Sequence, residues 1–323
     1  MNASSPKLSH WAEWVLLRGL ITLIRQGEIA AAYRKARWLA RLGRHLFSSE
    51  WAWANTNLAL IYGSNLSLAQ RQKLAAIAFE NIFSSYMEAI RVHDIKFQNE
   101  GTERLQEVHA LGRGVILCSI HLGCWEPGLI HCAGMISPMA ILYRPANNPL
   151  SEKTFMELRA DYGVEWIARQ NTRDVVRALQ ANKVLGFMVD INTREGGVTA
   201  PFLGMTAQCP PGPARLALRY KKPVLPVIAT REGPGQALFR VGEVIEPQAG
   251  EENNERIAAL TTRINASFSP WVHEFAEQYN WLHARWRARP DGQLWRPDDA
   301  KGANQNPVAP SQRVMKLLKQ DLI

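Results

Sequence analysis

The pattern of hydrophobic and polar positions along the chain changes near residue 112. Before it, apolar residues recur at helical spacing, and the pattern predicts helices over 29–47, 50–62 and 67–91. After it, short apolar runs alternate with helical stretches. We predict strands at 115–119, 139–143, 184–189 and 224–229, and helices at 149–162, 171–181, 210–220 and 252–279. This alternation is typical of an α/β fold with a mainly parallel central sheet flanked by helices.

Positive charge is concentrated near the N-terminus. The 323 residues carry a net charge of +9, and residues 1–50 hold eight Lys and Arg residues against three Glu. A helix over 29–47 would carry a basic arc and an apolar arc. The basic arc consists of Arg34, Arg37, Arg41, Arg44 and His45, and the apolar arc of Ile29, Ala32, Leu39, Leu42 and Leu46. This pattern predicts binding to an anionic membrane surface, although a solvated helix of a soluble domain has the same pattern.

The two ends of the chain differ from its middle. The segment over 8–26 is apolar, but Glu13 and Arg18 interrupt it, so it suits a membrane interface better than a membrane span. The end of the chain is polar and rich in Pro, Gly, Asn and Asp. We therefore predict N-terminal membrane-associating helices (1–48), an α/β domain (49–290) and a flexible C-terminal tail (291–323) that ends in a short basic helix over 311–321.

Cysteine spacing and motif content exclude several function classes. The four cysteines, Cys118, Cys124, Cys132 and Cys209, show no CxxC spacing, so neither a zinc site nor a disulfide framework is indicated. We expect no metal and no cofactor. The basic charge suits a membrane, an acidic carrier or nucleic acid. Because no recognised nucleic-acid-binding motif accompanies the charge, no nucleic-acid partner is expected.

A histidine and a glutamate follow the first predicted strand in "LCSIHLGCWEPG" (117–128). Ligands of α/β sheets collect at the carboxyl ends of strands, so His121 lies where a reacting group is expected. On a continuous helix Glu126 would lie about 140° around from His121. We therefore expect His121 on the turn, with Glu126 reaching back from the first helical turn to fix the imidazole tautomer. The pair suits general-base catalysis, and a structural histidine is the alternative on spacing alone.

Other strand ends supply further candidates. The predicted substrate-binding residues are Arg144, Asp190, Asn192, Arg194 and Arg215. Cys124, three residues after His121, offers a competing acyl-enzyme chemistry, but we expect it to pack in the first helical turn. His131 and His283 are interpreted as packing or surface histidines.

Five segments, in this order and spacing, carry a resemblance to a known family. They are "HLGCWEPG", "YRPANNPL", "GFMVDIN…GGV…PFLG", "PPGPARLAL…PVLPV" and "NWLHARWRARP". Together they resemble the late acyltransferases of lipid A biosynthesis, the lauroyl/myristoyl branch of the lysophospholipid acyltransferase superfamily. The resemblance extends from about residue 11 to residue 290.

The resemblance implies an O-acyltransferase in which His121, partnered by Glu126, deprotonates a lipid hydroxyl. That hydroxyl would attack an acyl thioester of acyl carrier protein or coenzyme A. Arg144 and Asp190 would belong to the site, with the forked donors of Arg144 facing a phosphate. The implied acceptor is a lipid A precursor, and the implied location is the cytoplasmic face of a bacterial inner membrane, held peripherally. The alternatives are another glycolipid, lysophospholipid or specialised lipid as acceptor, or a lipid-binding homologue without catalysis.

Overall fold

The computed structural model describes residues 6–248, 250, 252–300, 304 and 306–320. Within these residues the chain forms eleven α-helices and nine β-strands. The helices are α1 (Leu8–Arg25), α2 (Ile29–Leu46), α3 (Ser48–Tyr62), α4 (Leu68–Ile90), α5 (Thr102–Ala110), α6 (Trp125–Met135), α7 (Pro149–Arg159), α8 (Thr172–Gln180), α9 (Gly212–Tyr220), α10 (Asn254–Glu274) and α11 (Gln312–Lys319). The strands are β1 (Lys96–Glu100), β2 (Val115–Ser119), β3 (Met139–Tyr143), β4 (Val164–Ala168), β5 (Val184–Met188), β6 (Val198–Phe202), β7 (Met205–Cys209), β8 (Val224–Gly233) and β9 (Gln236–Val241).

Strand β2 lies at the centre of the main sheet, whose order in the described residues is β1-β9-β8-β2-β5-β3-β4. Neighbouring strands are parallel, except that β8 and β9 are antiparallel. Val115 and Leu117 face the core layer that includes α6, whereas Ile116 and Cys118 face the layer that includes α4 and α9. Because both faces are covered, β2 is a continuous apolar run without polar alternation.

The α/β fold class predicted from the sequence is confirmed, and the four predicted strands are present. The hydrophobic pattern missed α5 and the strands β1, β4, β6, β7 and β9. β1 and β4 form the two edges of the sheet, and most of their side chains are at least partly exposed. Edge strands lack the long apolar run that marks a strand buried on both faces, so the sequence signal for them is weak.

Helix α1 packs on α7, and α2 packs on α4. Trp14 Nε1 donates to Thr154 Oγ1 at 3.1 Å, and Asn148 Nδ2 donates to the His10 carbonyl at 2.9 Å. These two bonds tie α1 to α7 and to the residue that precedes it. In the described part of the chain, no helix combines the length and the hydropathy needed to cross a membrane.

The residues that α2 buries differ in part from the apolar arc predicted from the sequence. The buried residues are Ala32, Tyr33, Ala36, Ala40 and Gly43. Leu42 and Leu46 are exposed, together with Trp38. Small residues face inward because α4 lies close: a Cβ built at Gly43 would lie 2.8 Å from the ring of Phe83. The large apolar side chains of α2 therefore share its outer surface with the exposed arginines.

The short helix predicted near the C-terminus is present as α11, but it is docked on the fold instead of extending from a flexible tail. Helix α11 packs against α4 and α10, and Val314 and Leu318 are buried there. Arg313 Nε lies 2.9 Å from Glu277 Oε1, and Lys73 Nζ donates to the Leu318 carbonyl at 3.0 Å. Two apolar side chains four residues apart anchor this short helix despite its polar surroundings. The predicted tail positions 301–303, 305 and 321–323, like positions 1–5 at the start, lie outside the described residues.

Val314→Ala should lower the free energy of unfolding by about 1–3 kcal/mol, because it removes buried methyl groups and leaves a cavity. Lys316→Ala, on the exposed side of the same helix, should change it by less than about 0.5 kcal/mol. Denaturant unfolding of the full-length chain measures both. Equal stability of the two variants would show that α11 is not docked.

Candidate active site

His121 and Asp190 meet at the carboxyl ends of two neighbouring parallel strands. Ser119 of β2 is aligned with Met188 of β5, and each charged residue lies two positions beyond its strand. The side chains therefore emerge side by side. His121 Nδ1 lies 2.8 Å from Asp190 Oδ1, and the backbone N–H of His121 donates to Asp190 Oδ2 at 2.9 Å. One carboxylate thus fixes both the ring and the main chain of the histidine.

The electrostatics of this pair favour an ionised aspartate. Asp190 is only 1% exposed, and burial alone would raise the pKa of its carboxyl. The positive charge and hydrogen bonds of His121 outweigh burial and lower the pKa of Asp190 to about 2. A carboxylate bound at Nδ1 places the proton there and leaves Nε2 as the basic nitrogen. His121 Nε2 has no hydrogen-bond partner in the described part of the chain, and the side chain is 17% exposed.

The turn that carries His121 is held by its backbone. Gly123 N donates to the Gln278 carbonyl at 3.0 Å, and the Gly123 carbonyl accepts from Ser85 Oγ at 2.6 Å. Gly123 has a φ of +62°, and a Cβ at this position would lie 2.1 Å from the Ala229 carbonyl oxygen. Only glycine combines this conformation with so close an approach, which fixes the path of the chain after His121.

Glu126 does not contact His121, which corrects the pairing expected from the sequence. It lies in the first turn of α6 and accepts two hydrogen bonds from Arg159, at 2.8 and 2.9 Å. The Arg159 guanidinium lies 4.3 Å from the ring centroid of Trp166 and 5.5 Å from that of Tyr143. The first turn of α6 therefore directs Glu126 toward α7, while the neighbouring strand supplies the carboxylate for His121.

The other predicted substrate-binding residues do not touch the pair. Arg144 is exposed and lies 3.5 Å from Asn147 Oδ1, and Arg194 is exposed on the loop after β5. Asn192 Oδ1 accepts from the Ala288 N–H at 3.2 Å, and Arg215 Nε lies 3.2 Å from Glu252. Of these five residues only Asp190 contacts His121 among the described residues.

Cys124 is placed poorly for an acyl-enzyme. Its side chain is fully buried, and its thiol faces the Ala229 carbonyl at 3.6 Å. Burial raises the pKa of the Cys124 thiol well above its ordinary value, with the negative charge of Glu88 adding to the effect. A protonated, inaccessible thiol is a poor nucleophile, so the geometry favours His121 acting on an external hydroxyl.

His283, interpreted from the sequence as a packing or surface histidine, lies beside His121. Its ring centroid lies 4.7 Å from that of His121, and the Trp125 ring lies 5.2 Å from His121. The segment "NWLHARWRARP" carried one signal, because it was among the five segments of the family resemblance. Nothing in its spacing shows that the chain returns to the end of β2.

Residues 1–288 match the family model described as bacterial lipid A biosynthesis acyltransferase. The chain belongs to this family. Family membership makes it an acyltransferase, and the acceptor of the acyl group is a lipid.

Several relatives have curated names. The chain is 25% identical over 296 residues to the lipid A biosynthesis lauroyltransferase of Escherichia coli K12, covering 88% of this chain and 94% of the relative. It is 28% identical over 249 residues to the lipid A biosynthesis palmitoleoyltransferase of the same organism, covering 74% and 79%. It is 22% identical over 293 residues to the phosphatidylinositol mannoside acyltransferase of Mycolicibacterium smegmatis, covering 87% and 91%.

One solved structure is similar at a greater distance. The crystal structure of the 1-acyl-sn-glycerophosphate acyltransferase of Thermotoga maritima matches with a TM-score of 0.35 and 12% identity, covering 72% of this chain and 98% of that chain.

Asp190→Asn should lower kcat by about 10²–10⁴, because an amide neither stabilises the imidazolium nor holds the same tautomer as firmly. Release of the free thiol from an acyl thioester in the presence of lipid acceptor measures the rate. Thermal unfolding serves as the control for folding. Wild-type kcat in a folded Asp190→Asn enzyme would exclude Asp190 as the partner of the base.

Proposed function

We propose that this family member transfers a fatty acyl chain from an acyl thioester to a hydroxyl of a lipid A precursor, with His121 as general base and Asp190 as its partner. The hydrogen-bonded pair at the ends of β2 and β5 carries the proposal, since it leaves Nε2 of His121 free for a substrate. A lipid-binding protein without catalysis would have no use for a base held by a buried carboxylate.

The proposed reaction needs one base that later acts as an acid. His121 Nε2 takes the proton from the acceptor hydroxyl while the oxygen attacks the thioester carbonyl carbon, giving a tetrahedral oxyanion. The oxyanion collapses, the carbon–sulfur bond breaks, and the imidazolium returns the proton to the leaving thiolate. Asp190 stabilises the imidazolium between these two steps, and its pKa of about 2 keeps it ionised throughout.

Exposed arginines near the carboxyl ends of β3 and β5 suit phosphate groups of both substrates. Arg144 follows β3 and Arg194 follows β5, and neither forms an ion pair with another described residue. Acyl carrier protein and coenzyme A both present a phosphopantetheine arm, and a lipid A precursor is itself anionic. In the proposal these arginines bind substrate phosphates through their forked donors.

The acceptor separates two candidate functions, because the relatives named above act on lipid A or on a phosphatidylinositol mannoside. Mass spectrometry of total lipids from cells with the wild type, with His121→Ala and without the protein tests both. We expect a gain of one acyl chain on a lipid A precursor in the wild type alone, since loss of a positioned base costs about 10²–10⁴ in rate. Full acylation by His121→Ala would contradict the base role, and a gain on a mannosylated lipid would favour the second acceptor.

The outer face of the N-terminal helices supports a peripheral membrane location, which we propose is the cytoplasmic face of a bacterial inner membrane. The exposed large apolar residues of α1 are Leu8, Trp11, Val15, Leu16, Leu20 and Leu23. On α2, Trp38 is 60% exposed and is accompanied by Arg34, Arg37 and Arg44. Exposed apolar side chains interleaved with arginines that form no salt bridge to another described residue suit the boundary between lipid tails and anionic headgroups.

Binding to anionic vesicles should weaken but persist when the salt concentration rises from about 0.1 M toward 1 M, because the Debye length falls from roughly 10 Å to 3 Å. Replacing Arg34, Arg37 and Arg44 with Gln should remove most of this salt dependence. Leu16→Glu with Leu20→Glu should weaken the salt-resistant part. Leu111→Glu is the matched control, since Leu111 is 61% exposed on a different helix end. Vesicle co-sedimentation measures all four proteins, and a wild type left in the supernatant at low salt would refute membrane binding.

A further inference from the structure

His283 lies against the proposed base without a role in the mechanism above. Its ring meets that of His121 at an interplanar angle of 63°, with 4.7 Å between centroids. It belongs to the segment that crosses the carboxyl end of the sheet after α10. Asn280 in this segment donates its backbone N–H to the His121 carbonyl at 2.9 Å, so the two histidines share one rigid frame.

The main chain around His283 is fixed by a buried amide. Asn57 Nδ2 donates to the carbonyls of Trp281 and His283, both at 2.7 Å, and Asn57 is only 1% exposed. The backbone N–H of Arg285 donates to the same His283 carbonyl at 2.7 Å. A side chain whose backbone is held this way is preorganised for contact with a substrate.

The ring nitrogens of His283, by contrast, are uncommitted. In the described structure the hydrogen bonds of His283 are accepted by its backbone carbonyl, and its ring nitrogens form none. Neither ring nitrogen is fully buried, so both retain some contact with solvent. The ring is therefore partly buried beside His121, while its nitrogens can still reach a ligand.

The turn that carries His121 has no backbone donor to offer a developing oxyanion. The N–H groups of His121, Leu122, Gly123 and Cys124 already donate to Asp190, Ile120, Gln278 and Ala229, respectively. Acyl transfer requires donors at the carbonyl oxygen, because negative charge develops there in the transition state. The donors must therefore come from another group, such as a side chain facing His121 or the N-terminal turn of α6.

We propose that His283 is a second catalytic imidazole, which donates a hydrogen bond to the thioester carbonyl oxygen and stabilises the tetrahedral oxyanion formed when His121 removes the acceptor proton. The inference rests on the base role proposed for His121. The acceptor oxygen must lie near Nε2 of His121, and the carbonyl carbon about 3 Å further on. His283 is the candidate donor for the carbonyl oxygen because its ring centroid lies 4.7 Å from that of His121.

A neutral imidazole suits this role, and the surroundings of His283 keep it neutral. Burial, followed by the positive charges of His121 and Arg285, lowers the pKa of His283 to about 4, although Asp190 acts in the opposite direction. At neutral pH the ring donates one N–H without placing a second formal charge beside the imidazolium. No proton leaves His283 in the proposed step; the proton moves only between acceptor, His121 and leaving thiol.

Three variants test the proposal with the full-length enzyme, a dodecanoyl thioester of whichever carrier the wild type uses, and a lipid A precursor as acceptor. His283→Phe keeps a ring but no donor, and should lower kcat by about 10²-fold with little change in KM. His283→Gln keeps a side-chain donor and should retain at least about tenfold more kcat than His283→Phe. His131→Phe, which replaces a histidine of α6 stacked on Phe97 of β1, should keep the wild-type rate.

Wild-type kcat in His283→Phe, or equal kcat in the Phe and Gln variants, would overturn the donor role of His283. The base role of His121 is tested separately, and it would be refuted if His121→Ala kept the wild-type turnover. The wild type provides a readout that needs no variant: the chemical shifts of His283 in an NMR titration should show that its ring is still neutral at pH 6. Protonation of His283 near the ordinary pKa of about 6.5 would contradict the proposal.

Discussion

The two hydrogen bonds from His121 to Asp190 depend on one constraint, the parallel pairing of β2 with β5. A parallel register places equivalent positions of neighbouring strands side by side, so residues two positions beyond Ser119 and Met188 meet at the same edge. A slip of one residue would turn one of the two side chains to the other face of the sheet. The apolar faces of β2, buried in two core layers, fix that register and therefore the chemistry.

A buried ion pair supports the turn from the other side. Arg231 of β8 binds both carboxylate oxygens of Glu88, at 2.5 and 2.6 Å, and Tyr33 of α2 donates to the same carboxylate. Arg231 also donates to Ser85 Oγ, which in turn donates to the Gly123 carbonyl. Removing one partner of a buried pair costs about 3–5 kcal/mol, so this network ties α2, α4 and β8 to the loop after His121. The helix with the exposed arginines and the proposed base belong to one packed unit.

The charges around the site differ from those on the outer surface, which is strongly basic. Inside, Asp190 is ionised, and the lowered pKa of His283 keeps that ring neutral beside the imidazolium. Outside, Arg144 and Arg194 are exposed at neighbouring strand ends and form no ion pair with another described residue, and exposed arginines of α2 accompany Trp38. This arrangement suits an enzyme that gathers anionic substrates at a surface and carries out acyl transfer in a partly dehydrated site.

The sequence by itself determined the α/β fold class, the four strands buried on both faces, and His121 at the end of the first of them. Long apolar runs and strand-end positions are local signals, and they were sufficient for these features. Only the tertiary structure decided which carboxylate meets His121. Asp190 comes from a neighbouring strand, and spacing cannot report a contact between residues 69 positions apart. The same reason applies to His283, to the small-residue face of α2 and to the docking of α11, because each depends on distant segments brought together by packing.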